Sequence, residues 1–370
     1  MEINNLITFV IGTRPEAIKL APLIKVFKET NKLKVRVLLS GQHSLMVKQV
    51  MDLFNLTHDT NLNLMKDNQS INYITQEVLS GMRSEFIKNR PQLVFVQGDT
   101  TTAFAASLAA FYEKIPIAHV EAGLRTGKLL DPYPEEANRR LISQIASLHF
   151  APTEMARNNL FSSGIKENVF VTGNTIIDAL QMISKISKPF FIDGINLENK
   201  NLILATVHRR ENWGENLKNI AYGLRNIIDN DTSTILIIPL HKNPKVRGPL
   251  KNILKGNKRI ILTEPLDYDE LISILKVCKF VITDSGGLQE ESPTFGKPVL
   301  VIRKSTERLE AVEAGCAKLI GIDKNNIFKE SKVLLNNPKK YLEMSNIKNP
   351  FGQGDSSKKI YEQTLKFLNL

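Results

Sequence analysis

The sequence predicts an α/β protein built from two doubly wound parallel sheets, and three observations carry that prediction. Short β-branched and aliphatic runs alternate with amphipathic stretches along the whole chain. The runs are apolar at successive positions rather than at every second one, as expected of strands covered by helices on both faces. They are too numerous for one such sheet, and 370 residues suffice for two domains.

The elements follow in order. "LITFVI" (6–11) reads as a strand that starts almost at once, followed by a helix opening at Pro15. "VRVLL" (35–39) precedes a helix near 44–54, and "QLVFVQG" (92–98) precedes an Ala-rich helix at 101–112. "IPIAHV" (115–120), "LHFAP" (148–152) and "VFVTG" (169–173) continue the series. A second series runs through "LILATV" (202–207), "TILIIP" (234–239), "RIILT" (259–263), "FVITD" (280–284) and "PVLVI" (298–302). Between the two series, 184–200 ("SKISKPFFIDGINLENK") is polar and broken by Pro and Gly, so the boundary falls between about 172 and 200. The expected division is 1–172 and 173–354, two Rossmann-like domains with a cleft between them. "SSKKIYEQTLKFLNL" is a terminal helix, expected over 355–370 and to pack back on the first domain. Alternation of strand and helix implies right-handed crossovers. Ligands of such sheets bind beyond the carboxyl ends of the strands.

Composition narrows the classes. The chain is 42% hydrophobic and 24% charged, ordinary for a globular protein with a normal core. No apolar stretch approaches the roughly 18 residues of a membrane span, and no basic leader with a long apolar segment opens the sequence. Two cysteines, Cys278 and Cys316, lack metal-ligand spacing and read as reduced core residues of a cytoplasmic protein. The net charge of +11 is spread over single lysines, with no aromatic-interleaved basic stripe. It reads mainly as solvated lysines, with a few basic residues reserved for phosphate, and no nucleic-acid partner is expected.

Six strand-to-helix turns carry candidate chemistry. In "IGTRPEAIKLAP", Gly12 ends a strand and Pro15 suits the first helical position, which places Arg14 and Lys19 near a helix N-terminus. They are solvated cations or an anion site. In "FVQGDTTTAFAASLAAF", Asp99 is a helix cap or a site carboxylate, and three threonines before a small-residue face suggest close approach of something else. In "IPIAHVEAGLRTGKLLDPYPEEANRRLIS", Glu135 and Glu136 suit a first helical turn. Glu121 has no capping role, and a carboxylate at the carboxyl end of a buried strand is where catalytic acids and bases sit. "LATVHRREN" puts His208 beside Arg209 and Arg210, as a satisfied surface residue or as a group that holds phosphate or moves a proton, and "IPLHKNPKVR" offers His241 in a similar place. In "ITDSGGLQEES", Ser285, Gly286 and Gly287 would let backbone N–H groups approach a pyrophosphate, while Glu291 reaches ribose hydroxyls. "RKSTERLEAVEAG" supplies Arg308 near the same sheet end.

Other chemistries are excluded by their missing parts. His119-Val-Glu121 lacks the Pro-Cys-x-x-Cys of zinc deaminases, the six histidines are isolated, and there is no HExxH, so no metal is expected. No Gly-x-Ser-x-Gly elbow is present, and no GxGxxG follows the first strand.

Taken together, "GTRPEAIKLAP", "GDTTTAFAASLAAFY", "HVEAGLRTG", "PYPEEANRRL", "HFAPTE", "TGNTIIDAL", "HRREN", "TDSGGLQEE" and "GKPVLVIR" with "TERLEAVEAG" closely resemble the non-hydrolysing UDP-N-acetylglucosamine 2-epimerase family, in family order over nearly the whole chain. The resemblance implies a GT-B-like pair of Rossmann-like domains with the active site in the cleft, a homodimer, and no cofactor. It implies reversible conversion of UDP-GlcNAc to UDP-ManNAc through elimination of UDP to a glycal, feeding surface polysaccharide synthesis. By position, Asp99, Glu121, Glu135 and His208 match the family's catalytic group. Arg14, Lys19, Ser285, Gly286, Gly287, Glu291 and Arg308 match its nucleotide-sugar binding group. Lys304 stands where the family has an acid, and Leu309 where it has a proline. At the regulatory second site of many bacterial members, Gln42, Gln69, Arg209 and His241 remain, but Gln42-His43-Ser44-Leu45 and Asn68-Gln69 depart from the pattern. Weak or absent substrate activation is expected. A 2-epimerase of a related UDP-sugar, a glycosyltransferase on the same scaffold, a hydrolysing epimerase and a UDP-sugar-binding regulator are the competing readings.

Overall fold

The structure, a computed structural model, describes residues 5–42, 44–66, 69–191 and 200–370; His43, Asn68 and 192–199 of the linker stretch lie outside them. Two compact units emerge, Met1–Met182 with Phe351–Leu370, and Ile183–Pro350. The division between Met182 and Ile183 lies ten residues after 172, inside the interval of about 172 to 200 read from the sequence.

In the first unit the chain runs β1 (Leu6–Ile11), α1 (Arg14–Glu29), β2 (Lys34–Leu39), α2 (Ser44–Leu53), β3 (Thr60–Asn61), α3 (Ile71–Lys88), β4 (Leu93–Gln97), α4 (Thr101–Tyr112), β5 (Ile117–Val120), α5 (Glu135–Ile145), β6 (Leu148–Ala151), α6 (Glu154–Ser162), β7 (Val169–Val171) and α7 (Thr175–Ile186). The described strands form a seven-stranded parallel sheet in the order β3-β2-β1-β4-β5-β6-β7. The order reverses between β1 and β4, a switch point of the kind that leaves a crevice at the carboxyl ends. Phe9 stacks on Phe95 at 4.6 Å, and Phe27 meets both edge-on. Burying each ring contributes about 1.5–3 kcal/mol.

The second unit runs β8 (Asn201–Thr206), α8 (Glu215–Asp229), β9 (Thr234–Pro239), α9 (Pro244–Leu254), β10 (Ile260–Thr263), α10 (Tyr268–Val277), β11 (Phe280–Thr283), α11 (Gly286–Glu291), β12 (Val299–Val301), α12 (Leu309–Ala314), β13 (Ala317–Leu319), α13 (Lys324–Asn336) and α14 (Pro338–Ser345). Its described strands form a six-stranded parallel sheet ordered β10-β9-β8-β11-β12-β13. Successive strand residues feed opposite cores. Ile203, Leu236, Ile238, Phe280 and Ile282 join one cluster, while Leu204, Ile235, Ile237 and Val281 join the other. This is why the strands read as continuous apolar runs.

Helix α15 (Ser356–Leu368) belongs to the first unit. Its Tyr361 ring packs edge-on against Phe27 at 4.9 Å, and the Asp178 carboxylate accepts from the Ser357 backbone N–H at 2.8 Å. Both cysteines are buried, which pushes the Cys278 thiol up to about 12 and Cys316 to about 11. Among the described residues no helix is long and apolar enough to cross a membrane.

Candidate active site

At the carboxyl end of the first sheet, Gly12 is required by packing. A Cβ there would lie 2.3 Å from Thr102 Oγ1, because α4 is drawn tightly against the β1–α1 turn. Glu16, buried in the first turn of α1, locks that turn. Its Oε2 accepts from the Gly12 and Thr13 backbone N–H groups at 3.1 and 2.6 Å, and its Oε1 accepts from Thr100 Oγ1 at 2.8 Å. Burial pushes the Glu16 carboxyl up to about 7, against the pull of these hydrogen bonds. Thr100 also caps α4 through the Ala103 N–H, and Thr102 donates to Gln42 Oε1 at 2.9 Å. Two of the three threonines are thus explained by contacts within the unit. The cap of α4 is Thr100, which leaves Asp99 for other work.

Glu121 is the centre of the arrangement. It follows β5 with φ of +65°, a conformation uncommon for a side chain larger than glycine and costing on the order of 1–3 kcal/mol. That turn presents its buried carboxylate to Lys19 Nζ, Gln97 Nε2 and Asn174 Nδ2, the last at 3.0 Å. One cation and two amides thus fix the position of the carboxylate. Asp99 sits at the neighbouring strand end and pairs with Arg139 of α5. Burial pushes the Asp99 carboxyl above its usual value; Arg139 opposes the rise and the Glu121 charge adds to it. Asn138 Nδ2 binds the Asp99 carbonyl at 2.9 Å, fixing α5 beside this turn.

The two glutamates that open α5 separate clearly. Glu136 is fully buried and accepts from the Thr126 N–H at 3.1 Å and Arg140 Nε at 2.7 Å, with Arg139 Nη1 at 3.4 Å. It holds the β5–α5 loop. Glu135 Oε2 has no hydrogen-bond partner among the described residues, although it is shielded from solvent. Asp99 and Glu121 therefore lie together at the neighbouring ends of β4 and β5, and Glu135 stands in the first turn of α5, whose Arg139 pairs with Asp99. Arg14 stands half-buried in the first turn of α1. His119, by contrast, is fully buried with Nε2 at 2.8 Å from the Gly98 carbonyl, and burial pushes its imidazole down to about 3. It braces the β4 turn as a neutral ring. Gln69 Nε2 reaches the Gln42 carbonyl at 3.4 Å, so these two lie together in the first unit.

In the second unit, Asp284 ends β11 with no exposure. It accepts from the His208 and Arg209 backbone N–H groups, each at 2.9 Å, from Asn212 Nδ2 at 2.9 Å, and from His208 Nδ1 at 3.0 Å. Burial works to raise its carboxyl, but these hydrogen bonds hold it below its usual value. The His208 side chain is 39% exposed, and its ring stacks on His241 at 6.1 Å between centroids. Burial and the neighbouring His208 push the His241 imidazole down.

Arg209 pairs with Glu307 at 3.0 Å, and Glu307 also takes Arg303 at 2.6 Å and Arg308 at 3.3 Å. Burial opposes ionisation of Glu307, yet the three guanidiniums hold its carboxyl far below the usual range. Arg308 is further tied to the buried Glu290 at 2.7 Å. Glu291 accepts from Tyr268 Oη at 3.3 Å. The two glycines of the Ser285 turn differ. A Cβ on Gly286 would come within 3.3 Å of Glu307 Oε1, so the packed arginine–glutamate cluster explains it; a Cβ on Gly287 would meet nothing nearer than Ser285 Oγ at 3.8 Å. Lys304 and Leu309 are exposed.

Among the participants that escaped the sequence reading are Glu16, Arg139, Asn174 and Asp284. Their signals were present, as an acid in "RPEA", an arginine one turn after Glu135, an Asn after Gly173 and an Asp closing a strand. Each pairs with a residue distant in the chain, which spacing does not disclose. Among the described residues no group of three or more His, Cys, Asp or Glu is placed to hold a metal ion.

Comparison with known proteins bears on this arrangement. A family model described as UDP-N-acetylglucosamine 2-epimerase matches residues 25–365. The chain is 45% identical over 375 residues to a UDP-N-acetylglucosamine 2-epimerase of Campylobacter jejuni, covering 98% of each protein. The crystal structure of UDP-GlcNAc 2-epimerase from Neisseria meningitidis bound to UDP-GlcNAc superposes with a TM-score of 0.91 at 44% identity, over 98% of this chain and 100% of that one. The Methanocaldococcus jannaschii UDP-GlcNAc 2-epimerase in complex with UDP-GlcNAc and UDP gives a TM-score of 0.81 at 36% identity, over 98% of this chain and 99% of that one. The fold is therefore the two-domain Rossmann-like GT-B type, and this chain belongs to the UDP-N-acetylglucosamine 2-epimerase family.

Proposed function

We propose that the protein interconverts UDP-GlcNAc and UDP-ManNAc by inverting C2, as a homodimer in the cytoplasm, and so supplies surface polysaccharide synthesis. The C2 hydrogen is only weakly acidic, so direct removal is slow. In the proposed route a carboxylate takes the C2 proton, the C1–O bond to UDP breaks with its electron pair leaving on the diphosphate, and a glycal with a C1–C2 double bond results. UDP then adds back while a proton returns to the other face. No net oxidation occurs, so a redox cofactor has no step to serve.

The observation that carries this reading is the proximity of Asp99 and Glu121 at neighbouring strand ends, with Glu121 held in a strained backbone and Glu135 opening the helix whose Arg139 pairs with Asp99. Glu121 is occupied by three donors and holds its place beside Asp99. Asp99, made more basic by burial, and Glu135, with an unpartnered oxygen, are the groups able to exchange a proton. In the second unit the Ser285–Gly287 turn, Glu291 and Arg308 suit the nucleotide, and His208 suits the leaving diphosphate. Arg14 and Lys19 add positive charge beside the carboxylates. Gln42, Gln69, Arg209 and His241 are the candidates for a regulatory second site, where weak activation is expected.

Proton NMR of the protein with UDP-GlcNAc and no added cofactor tests the reading. The anomeric signal of UDP-ManNAc is expected to grow to a constant ratio. Free ManNAc would replace the reading with hydrolysis, and an unchanged spectrum would overturn it.

A further inference from the structure

Asp284 has no part in the roles assigned so far, yet it is the most completely buried acid in contact with a proposed catalytic group. It is fully buried, and every donor that reaches it comes from the β8 turn: the His208 and Arg209 backbone N–H groups, Asn212 Nδ2 and His208 Nδ1. A carboxylate accepting four donors is well satisfied as an anion. An imidazole free in water favours the proton on Nε2; an anion at hydrogen-bond distance from Nδ1 reverses that choice. Nε2, on the far side of the ring, has no bond among the described residues, and the side chain is 39% exposed.

We propose that Asp284 is a positioning residue that holds His208 in the Nδ1–H tautomer, so that Nε2 is the atom that gives and takes the proton at the departing diphosphate. The inference rests on the proposed epimerase reading for its catalytic half alone; the pairing itself is independent of any substrate.

The groups facing the imidazole support the assignment. From β11 comes Asp284, the acid paired with the ring. From the β9 turn comes His241, stacked at 6.1 Å and driven toward its neutral form by burial and by the charge on His208. From the β8 turn itself, Arg209 is turned to Glu307 at 3.0 Å, and Trp213 Nε1 binds the His208 carbonyl at 3.4 Å. One anion therefore faces two rings, and the ring within hydrogen-bond distance of it is that of His208. Asp284 also fixes the backbone of His208, so ring position and tautomer are set by one group.

Two measurements test this. The first is nitrogen-15 NMR of histidine side chains in the wild-type protein, with His208 assigned by the signal lost in His208→Gln. Above the titration range the neutral ring is expected as the Nδ1–H tautomer; an Nε2–H tautomer would overturn the proposal. The second is Asp284→Asn, which keeps the shape and an accepting oxygen but removes the charge. Its kcat is expected to fall on the order of 10²-fold with KM changed less than about threefold, and the alkaline limb of kcat against pH to move to lower pH. A loss carried by KM, or an unmoved limb, would overturn it. The wild-type tautomer decides even where the variant does not fold. It also decides where the protein turns over no nucleotide sugar, so the two readings fail separately.

Discussion

Glu16→Gln separates the charge of the β1–α1 anchor from its shape. Glutamine can accept from the Gly12 and Thr13 N–H groups through its oxygen while its amide faces Thr100 Oγ1, as a protonated Glu16 would. The wild-type carboxyl rises from 4.5 to about 7 on folding because it is buried. Between those two values the unfolded chain has released the proton and the folded chain keeps it, so stability falls as pH rises. At about 1.4 kcal/mol per pH interval of one, the loss approaches 3 kcal/mol by pH 7 and grows no further above it. The wild type and Glu16→Gln should therefore be nearly equal in stability below pH 4.5, with the glutamine form ahead by about 3 kcal/mol at pH 8. Amide exchange of β1 and α1 peptides, compared at equal pH so that intrinsic rates cancel, reads the difference. Equal protection at every pH, or a wild type that gains on the variant as pH rises, would refute the account of this carboxyl.

The two acids opening α5 should respond in opposite ways. Glu136→Gln should cost about 2 kcal/mol in urea unfolding, since Arg139 and Arg140 lose a buried partner, the cost being reduced by the exposure of Arg140. Glu135→Gln should unfold within about 0.5 kcal/mol of wild type while turnover falls on the order of 10²-fold or more. Gly287→Ala should melt as wild type, because its Cβ meets nothing nearer than 3.8 Å, yet bind UDP about tenfold more weakly by calorimetry as the methyl obstructs one backbone contact to the diphosphate.

Much of the fold was legible because parallel strands bury both faces. "LILATV" and "TILIIP" read as strands for the same reason that alternate residues of β8 and β9 enter different clusters. Glu121 was legible too, since an acid just past a buried strand has no local capping duty. Its positive φ was not, and neither were its partners Lys19, Gln97 and Asn174, which lie on three other elements. The roles of Glu135 and Glu136 were indistinguishable in the sequence, because adjacent helical positions differ only in which direction they face. The Asp284–His208 pair joins residues 76 apart, and only the neighbouring position of β8 and β11 in the sheet brings them into contact.

The central claim is that carboxylates of the first unit exchange the hydrogen at C2 of the sugar with solvent. The most direct measurement runs the reaction in D2O and reads C2 of both nucleotide sugars by NMR. Deuterium at C2 in both epimers, with exchange lost in Asp99→Asn, is the predicted result. A product epimer that keeps its original hydrogen, or an Asp99→Asn enzyme that exchanges at the wild-type rate, would contradict it.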